Sequence, residues 1–566
     1  MGIPNTVTKI INKHGAVVKF EREKIEHSIA NTIIDIEKSR RRAPELRARK
    51  YAELIAGRLY RDFYDPAALK QKFATMYLSY KPEERHRRLE NARVTTRLAF
   101  ALRELFLAGK TATTSPATTA EFVAAEFAGF ALQPSSDETP AAALTAEQRA
   151  DMIAFLAAKT AEMVSREATN ELMYPGREDV QDTVETTLRE IGEVEIAEAY
   201  MLFREGKIKI RSGDISPAQF TNDGIHRERL GQTIAWNIEH ECDSVFALND
   251  WVYGRNGKHL PDLVAASEQR YRDAVVGAAR QIIARKHELR VIIIAGPSCS
   301  NKTTTTVIIG EELKKEGFKL NTLNIDNYFK NLDQQPKDEF GDYDFEMPEA
   351  IDIPLLNEHL DLLMQGKPID MPHYNFKLGY RDKTIPFALK SDEILLIDCL
   401  HGLFSKLTAA VPMKKKFRIY IESMNVIRGI TGEPTRWSDI RMLKRMIRDF
   451  SHRGYQPEST LPHWPYVRKG ELKHIIPYIY TADAVINSGL PYELAALKTA
   501  LAEIIPSRAF IEGLRQQGRL DPYIRGIRVH TLLETVAGFP TLEVIPPTSP
   551  IREFIGGSVY EIPHNE

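Results

Sequence analysis

The sequence has little cysteine and no long apolar run. Its 566 residues include only three cysteines, Cys242, Cys299 and Cys399, far apart and without the spacing of a zinc site or a disulfide framework. Scarce cysteine is typical of a reducing compartment, so we expect a cytoplasmic protein. Apolar runs such as 291–296 are too short to span a bilayer, so we expect no membrane partner.

An excess of either charge is also missing. The sequence has 76 lysines and arginines against 77 aspartates and glutamates, a net charge of -1. This balance gives no electrostatic reason to expect a nucleic acid as a partner. The length exceeds what one core holds, so we expect roughly three or four domains.

The segment IIIAGPSCSNKTTTTVIIG, residues 292–310, is a near match to a phosphate-binding loop. The pattern G-x-x-x-x-G-K-[ST] is present with Gly296, Lys302 and Thr303 in place, but Asn301 stands at the second glycine. An apolar strand precedes the loop and a helix follows it, so backbone amides would surround phosphate oxygens. Lys302 would contact the terminal phosphates of ATP and the Thr303 hydroxyl would bind Mg²⁺. The predicted nucleotide-binding residues are Gly296, Ser298, Cys299, Ser300, Asn301, Lys302, Thr303 and Thr304.

The backbone preferences of asparagine indicate whether Asn301 can take the place of the loop glycine. Glycine serves where a positive φ or a close approach to ligand is needed. Asparagine is among the best other residues at positive φ, although its side chain occupies space. We therefore expect Asn301 to preserve a working site with weaker ATP binding, which glycine would tighten. The alternative is a chance match or an inactive loop.

Two acidic residues and a basic helix follow the loop. Asp326 and Asp398 end later apolar strands, the position at which open α/β sheets bind ligands, and Asp398 suits Mg²⁺. Farther on, a basic cluster comprises Arg441, Lys444, Arg445, Arg448 and Arg453. These side chains form either a lid that neutralises a transferred phosphoryl group or an ordinary basic helix face.

Changes in composition and in the pattern of apolar residues predict four parts of the chain. Residues 1–210 indicate a hairpin and helices, with a helical or flexible insertion at about 40–145. Residues 211–290 indicate a mainly helical connector. Residues 291–505 alternate apolar strands with helices, which predicts an α/β domain with a mostly parallel sheet. Residues 506–566 are expected to form an extension packing on that domain.

Several stretches resemble, in the same order, the uridine kinase–phosphoribulokinase branch of the P-loop kinases. They are GPSCSNKTTT, NIDNYF, GDYDFEMPEAID, MPHYNFKLGYR, EILLIDCLHGL, RMIRDFSHRGYQPESTLPHW, ADAVINSGLPYELAALK and PPTSPIREFIGGS, within about 291–557. The resemblance implies a P-loop kinase fold and ATP- and Mg²⁺-dependent phosphorylation of a small-molecule hydroxyl, with the 5'-hydroxyl of a nucleoside such as uridine favoured.

The same resemblance implies catalytic roles. Asp326 would be the general base on the acceptor hydroxyl, Lys302 would hold the triphosphate, and Asp398 would serve Mg²⁺ together with Thr303. The lid residues would be Arg445, Arg448 and Arg453.

Substrate-binding positions follow from the resemblance as well. Glu346 stands where family members hold the ribose hydroxyls, and Tyr374 stands where they contact the base, with Arg381 following in the same motif. Gly379 departs from the family, because true uridine–cytidine kinases place a base-reading histidine there. The departure puts pyrimidine selection in question.

The N-terminal region resembles the ATP-cone, a regulatory nucleotide-binding module of ribonucleotide reductases. KIINKHGAVVKFEREKIEHSI resembles the opening of that module, and VQDTVETTLREIGEVEIAEAYMLFREG resembles its closing helices. A small α+β module within a mainly α-helical N-terminal region, with ATP or dATP as allosteric effector, is thereby implied. The implied effector contacts are Lys13, His14, Gly15 and Lys24. The alternative is an ordinary module without ligand.

Two other functions stay open at this point. One is a kinase for another small metabolite, such as a sugar phosphate or a vitamin precursor. The other is a nucleotide-sensing protein with little turnover, which Asn301 motivates. Asp326 and Asp398 argue against a sensor, because binding alone needs no general base. A homo-oligomer is compatible with the sequence.

Overall fold

The protein is described from a computed structural model. The structure describes residues 9–11, 17–36, 44–63, 65–79, 85–86, 89, 97–99, 101–102, 124–126, 145–165, 177–220, 224–335, 346–375 and 378–560. The chain divides into two compact units. The first comprises Met1–Tyr200, Lys337–Tyr343 and Gln516–Leu520, and the second comprises Met201–Pro336, Asp344–Arg515 and Asp521–Glu566.

The first unit is mainly helical where it is described. It opens with an antiparallel pair, β1 (Lys9–Ile11) and β2 (Val17–Lys19), in which Ile10 lies opposite Val18. The helices that follow are α1 (Arg22–Ile36), α2 (Pro44–Phe63), α3 (Pro66–Ser79), α4 (Ala146–Ser165), α5 (Arg177–Glu190) and α6 (Val194–Ser212), the last of which continues into the second unit. The mainly helical N-terminal region is therefore confirmed.

Amphipathic spacing explains the core of this unit. Ile25 and Ile29 of α1, four residues apart, share one helix face and are both buried. They belong to a cluster with Ile55 and Leu59 of α2 and Val184 of α5. Three helices thus bury their apolar faces against one another.

The second unit contains a five-stranded parallel sheet. Its strands are β3 (Val291–Ala295), β4 (Lys319–Asn324), β7 (Glu393–Cys399), β8 (Lys416–Glu422) and β9 (Ala484–Asn487), in the spatial order β4-β7-β3-β8-β9. All of β3 is buried, as expected for a central strand covered on both faces. The predicted mostly parallel sheet is confirmed.

Helices surround this sheet along the chain. They are α7 (Arg227–Glu239), α8 (Val245–Tyr253), α9 (Leu260–Ala284), α10 (Lys302–Lys315), α11 (Ile353–Met364), α12 (Trp437–Arg453), α13 (Pro457–His474), α14 (Glu493–Ala500), α15 (Arg508–Gln516), α16 (Leu520–Thr535) and α17 (Arg552–Ile555). No helix in the described ranges has the length and apolar character needed to cross a bilayer.

Strand β3 separates two apolar cores. Ile292 and Ile294 join one core and Ile293 joins the other, because successive side chains of a strand point to opposite faces. The first core also contains Ile545 and Ile551, so the C-terminal segment packs against the same face of the sheet.

An antiparallel hairpin accompanies the sheet. It pairs β5 (Ile369–Asn375) with β6 (Tyr380–Phe387), and its register shifts between His373 and Tyr374. The sequence pattern did not predict this hairpin, since its exposed second strand lacks a long apolar run.

Candidate active site

The sheet register brings three predicted catalytic segments to one edge. Asp398 lies opposite Ile294 of β3 on one side and opposite Asn324 of β4 on the other. The loop after β3 and the turn after β4, which carries Asp326, therefore leave the sheet beside Asp398. The carboxyl edge of a parallel sheet is the usual ligand-binding edge of α/β proteins.

The loop between β3 and α10 has the backbone that its sequence suggests. Asn301 lies in the left-handed region at φ 63° and ψ 29°, and Cys299 also has a positive φ of 59°. Gly296 is required for a different reason, because a Cβ there would lie 2.2 Å from the carbonyl oxygen of Ile421. Asn301 therefore adopts the left-handed backbone conformation that glycine usually has at this position of a phosphate-binding loop.

The first helical residues after the loop are those predicted to meet phosphate and metal. Lys302 begins α10 and is half-buried, and its Nζ donates to the carbonyl oxygen of Pro297 at 3.2 Å. Thr303 follows and is half-buried. Thr304 is buried, and its hydroxyl donates to Glu553 at 2.8 Å. Glu553, to which no feature of the sequence assigns a function, lies 249 positions later in the chain.

The pKa of the Asp398 carboxyl shows which charged groups lie near it. Desolvation is the main cause that raises the pKa of its carboxyl from 3.8 to about 6. The positive charge of Lys302 lowers this pKa, and the negative charges of Glu553 and Asp326 raise it. Lys302, Glu553 and Asp326 therefore each lie within electrostatic reach of Asp398.

Asp326 lies in a short 3-10 turn, Ile325–Tyr328, directly after β4. Its backbone N–H donates to Asn324 Oδ1 at 2.9 Å, and its side chain is half-buried. The turn fixes the direction of the chain where the aspartate leaves the sheet. The role of Asp326 as general base stays a prediction from the sequence.

The arginine helix α12 contacts the phosphate loop directly. Arg445 Nη1 and Arg448 Nη2 each donate to Ser298 Oγ at 3.4 Å. Arg453 instead pairs with Asp449, at 3.3 Å. Asp449 also accepts from Arg445 at 3.2 Å, so a buried carboxylate, not singled out from the sequence, holds two of the arginines that are predicted to form a lid.

Arg441 has a structural position that the sequence did not distinguish from the lid. It is fully buried and makes two parallel hydrogen bonds to Glu471, at 2.7 and 2.8 Å. Its Nη1 also donates to the carbonyl oxygen of Ser298 at 2.8 Å. Burial alone would lower the pKa of Arg441, but Glu471 and Glu422 raise it overall, so the guanidinium stays charged.

The predicted substrate residues lie near this helix and on the hairpin. Glu346 is 3.9 Å from Arg445 Nη1 and 4.0 Å from His463 Nε2. Tyr374 is buried with its ring 5.7 Å from that of Phe329, and desolvation is the main cause that raises the pKa of its hydroxyl.

Arg381 is engaged with the protein. Its guanidinium donates to the carbonyl oxygens of Tyr328 and Phe329 and to Asp352 Oδ2, all within 2.9–3.1 Å. In this structure it stiffens the turn that follows Asp326. Gly379, two residues earlier, has φ +75°, and a Cβ there would lie 3.3 Å from that of Leu332. A histidine at 379 would therefore be strained.

The donor set fits Mg²⁺. In the described part of the chain, no group of three or more His, Cys, Asp or Glu side chains could hold a metal ion. Mg²⁺ is usually bound by one or two carboxylates together with waters and substrate phosphates. The oxygens of Thr303 and Asp398, at the same end of the sheet as the loop, match that requirement.

The predicted regulatory residues are only partly described. Lys13, His14 and Gly15 lie outside the described residues. Lys24 is exposed on α1 and forms an ion pair with Glu21 at 2.5 Å. The effector site therefore stays a prediction.

Sheet order, phosphate loop and arginine helix together define a P-loop phosphotransferase. The chain belongs to the Phosphoribulokinase / Uridine kinase family, whose model matches residues 291–494. It is 30% identical over 200 residues to the uridine kinase of Deinococcus deserti, covering 35% of this chain and 87% of the relative. It is 28% identical over 222 residues to the uridine kinase of Bacillus pumilus, covering 39% of this chain and 97% of that protein.

A solved structure gives a weaker likeness. The possible uridine kinase of Bacillus stearothermophilus is 17% identical and covers 26% of this chain and 79% of its own, with a TM-score of 0.23. Family membership therefore rests on the sequence matches. It implies a phosphotransferase that acts on a hydroxyl group of a nucleoside or another small metabolite, with ATP as co-substrate.

Proposed function

We propose that this protein transfers the terminal phosphoryl group of ATP, in the presence of Mg²⁺, to the 5'-hydroxyl of a nucleoside, as in a uridine kinase. One observation carries the proposal. Lys302 and Asp326 both lie within electrostatic reach of Asp398, which stands at the carboxyl edge of the sheet beside the phosphate loop.

Asp326 is the proposed general base. As the acceptor oxygen attacks the terminal phosphorus, the bond to the bridging oxygen breaks and ADP leaves. The hydroxyl proton passes to the Asp326 carboxylate. Such a positioned base typically contributes about 10²- to 10⁴-fold to the rate.

Positive charge from the loop and from α12 would stabilise the transferred group. The loop amides and Lys302 face the position of the triphosphate in a phosphate-binding loop. Arg445 and Arg448 contact the loop through Ser298, and we propose that they extend from there to the terminal phosphate. Phosphoryl transfer depends mainly on such positioning and charge neutralisation.

Thr303 and Asp398 would hold the metal ion. Bound Mg²⁺ supplies neutralisation of the charge on the phosphate oxygens. The raised pKa of Asp398 reflects its desolvation and its acidic neighbours, Glu553 and Asp326. Mg²⁺ is usually bound by one or two carboxylates together with waters and phosphate oxygens, and Asp398 with Thr303 would supply the protein's part of those ligands.

A nucleoside acceptor is supported by two observations. The similar proteins from Deinococcus deserti and Bacillus pumilus are uridine kinases. Glu346, the proposed partner of the ribose hydroxyls, lies next to Arg445 on the lid helix. Because a histidine at position 379 would be strained, base recognition is expected to use a contact other than a histidine at this position.

Regulation by ATP or dATP at the N-terminal module is the finer part of the proposal. Lys13, His14, Gly15 and Lys24 would hold the effector. A ligand there would change activity to the extent that it binds the active and inactive states differently. The domain boundaries, the oligomeric state and the cytoplasmic location stay predictions from the sequence.

An acceptor panel tests the proposal. ADP release is measured with Mg·ATP and with uridine, cytidine, adenosine, sugar phosphates and vitamin precursors, each with and without dATP. We expect nucleosides to give the highest kcat/KM, and Asp326→Asn is the inactive control. A higher kcat/KM for a sugar phosphate or a vitamin precursor would select the other kinase. ATP binding without turnover of any acceptor would select the nucleotide sensor.

A further inference from the structure

The side chain of Asn301 points into the protein. Asn301 is fully buried and adopts the left-handed conformation that a phosphate loop usually assigns to glycine. It does not cap the helix that it precedes. Instead its Oδ1 accepts a hydrogen bond from Lys444 Nζ at 2.9 Å.

Lys444 is held in a site that matches its chemistry. The lysine is fully buried, and its three donors have three acceptors, Asn301 Oδ1, Ser423 Oγ at 3.0 Å and Glu493 Oε1 at 2.7 Å. Glu493 is also fully buried and balances the charge. Each acceptor comes from a different part of the unit: the loop, the segment after β8 and the start of α14.

Loss of one acceptor would be costly in this environment. A buried ammonium needs a partner for each donor, because no water is available to replace one. Since Lys444 has only donors, the carboxamide must turn its oxygen towards it.

The contact also joins the loop to the lid. Lys444 lies on α12, the helix that carries Arg445 and Arg448, and these two arginines contact the loop at Ser298. Lys444 adds a bond at the other end of the loop, next to Lys302. A glycine at 301 could accept no such bond.

We propose that Asn301, Lys444 and Glu493 form a positioning triad for the nucleotide. The triad holds the last loop residue in its left-handed conformation and fixes the loop against the arginine helix. In this loop a side-chain hydrogen bond stabilises the left-handed conformation that glycine would adopt without one. This inference rests on the proposed function, because it concerns the same phosphate loop.

The triad reverses the expectation drawn from the sequence. If Asn301 were only a tolerated substitution, Asn301→Gly would tighten ATP binding. With the triad, glycine leaves one N–H of a buried ammonium without an acceptor and frees the end of the loop. Because the freed loop must then be ordered when ATP binds, we expect the loss of this hydrogen bond to a charged group to weaken the affinity roughly tenfold.

Titration calorimetry with Mg·ATP separates these possibilities. We expect Asn301→Gly to raise the Kd roughly tenfold, and to raise KM for ATP more than it lowers kcat. Asn256→Gly is the matched control, because Asn256 also has a positive φ, 56°, but is exposed. It should bind ATP like the wild type.

A double-mutant cycle tests the coupling. In a Lys444→Met background, Asn301→Gly should change the Kd less than about threefold, since the bond is already absent. If Lys444→Met does not fold because Glu493 is left buried without its partner, Lys444→Met combined with Glu493→Gln provides the second background, in which the bond to Asn301 is likewise absent.

The outcomes are distinct. An unchanged or lower Kd for Asn301→Gly, or an equal effect in both backgrounds, would overturn the triad and leave the proposed function intact. A wild-type chain that binds no Mg·ATP would overturn both.

Discussion

Glu553 accepts hydrogen bonds from the hydroxyl and the backbone N–H of Thr304, at 2.8 and 3.3 Å, across 249 positions of the chain. Thr304 is the third residue of α10, and the first amides of a helix have no partner within it. Asn301 cannot cap them, because its side chain bonds to Lys444. A carboxylate from the C-terminal segment therefore caps the phosphate-loop helix.

Removing this cap should weaken both the fold and nucleotide binding. We expect Glu553→Ala to lower the free energy of unfolding by about 1–2 kcal/mol, the usual cost of a lost N-cap, and to raise the KM for ATP. Denaturant unfolding and initial rates measure the two effects. Glu543→Ala, at an exposed position of the same segment, is the control. Equal behaviour of the two variants would mean that the cap contributes nothing.

Asp326→Asn should abolish turnover and leave ATP binding nearly unchanged. The amide of asparagine cannot take up the proton of the substrate hydroxyl, so kcat should fall by about 10²- to 10⁴-fold. Steady-state rates and calorimetry with Mg·ATP give the two quantities. Wild-type turnover in this variant would remove Asp326 from the reaction.

Arg448→Ala should lower kcat severely. Arg448 reaches the loop at Ser298, and a lid arginine in related phosphoryl transfers is worth about 10³-fold or more. Arg515→Ala is the matched control, because its side chain is exposed and lies on another helix. A kcat within a few-fold of the wild type for Arg448→Ala would show that α12 is an ordinary basic helix.

Stability should decrease in mild acid through His401. Burial lowers the pKa of this histidine from 6.5 to about 4. Between pH 6.5 and pH 4 the imidazole is therefore protonated in the unfolded chain but neutral in the folded chain. Stability is therefore lost as the pH falls from 6.5 towards 4. From pH 6.5 to 5 the loss is about 2 kcal/mol.

His401→Phe removes this titration and keeps a buried ring. Denaturant unfolding at several pH values should show a smaller acid-induced loss for the variant than for the wild type. Parallel curves would show that His401 titrates alike in the folded and unfolded chains.

Much of the second unit could be predicted because its signals are local. The apolar run of β3 and the spacing of Gly296, Lys302 and Thr303 identify the loop without any tertiary information. The end of an apolar strand identified Asp398. The positive φ of Asn301 also followed from the preferences of one residue type.

The rest depends on contacts between distant positions. Glu553 caps a helix formed 249 positions earlier, and nothing in its own neighbourhood reveals a partner. Lys444 looked like one more member of a basic helix face, and only its burial and its three acceptors distinguish it from Arg445. Arg381 was assigned to the substrate by resemblance, yet its guanidinium bonds to the turn after Asp326.

The distance between Thr304 and Glu553 also has a consequence during translation. At typical synthesis rates, the 249 residues between them take roughly 12 to 50 s to be made. Throughout that interval the emerging chain holds the start of α10 without its capping carboxylate. A ribosome that stalls after Asn487 and before residue 553 therefore yields a polypeptide with every strand of the sheet but an uncapped phosphate-loop helix.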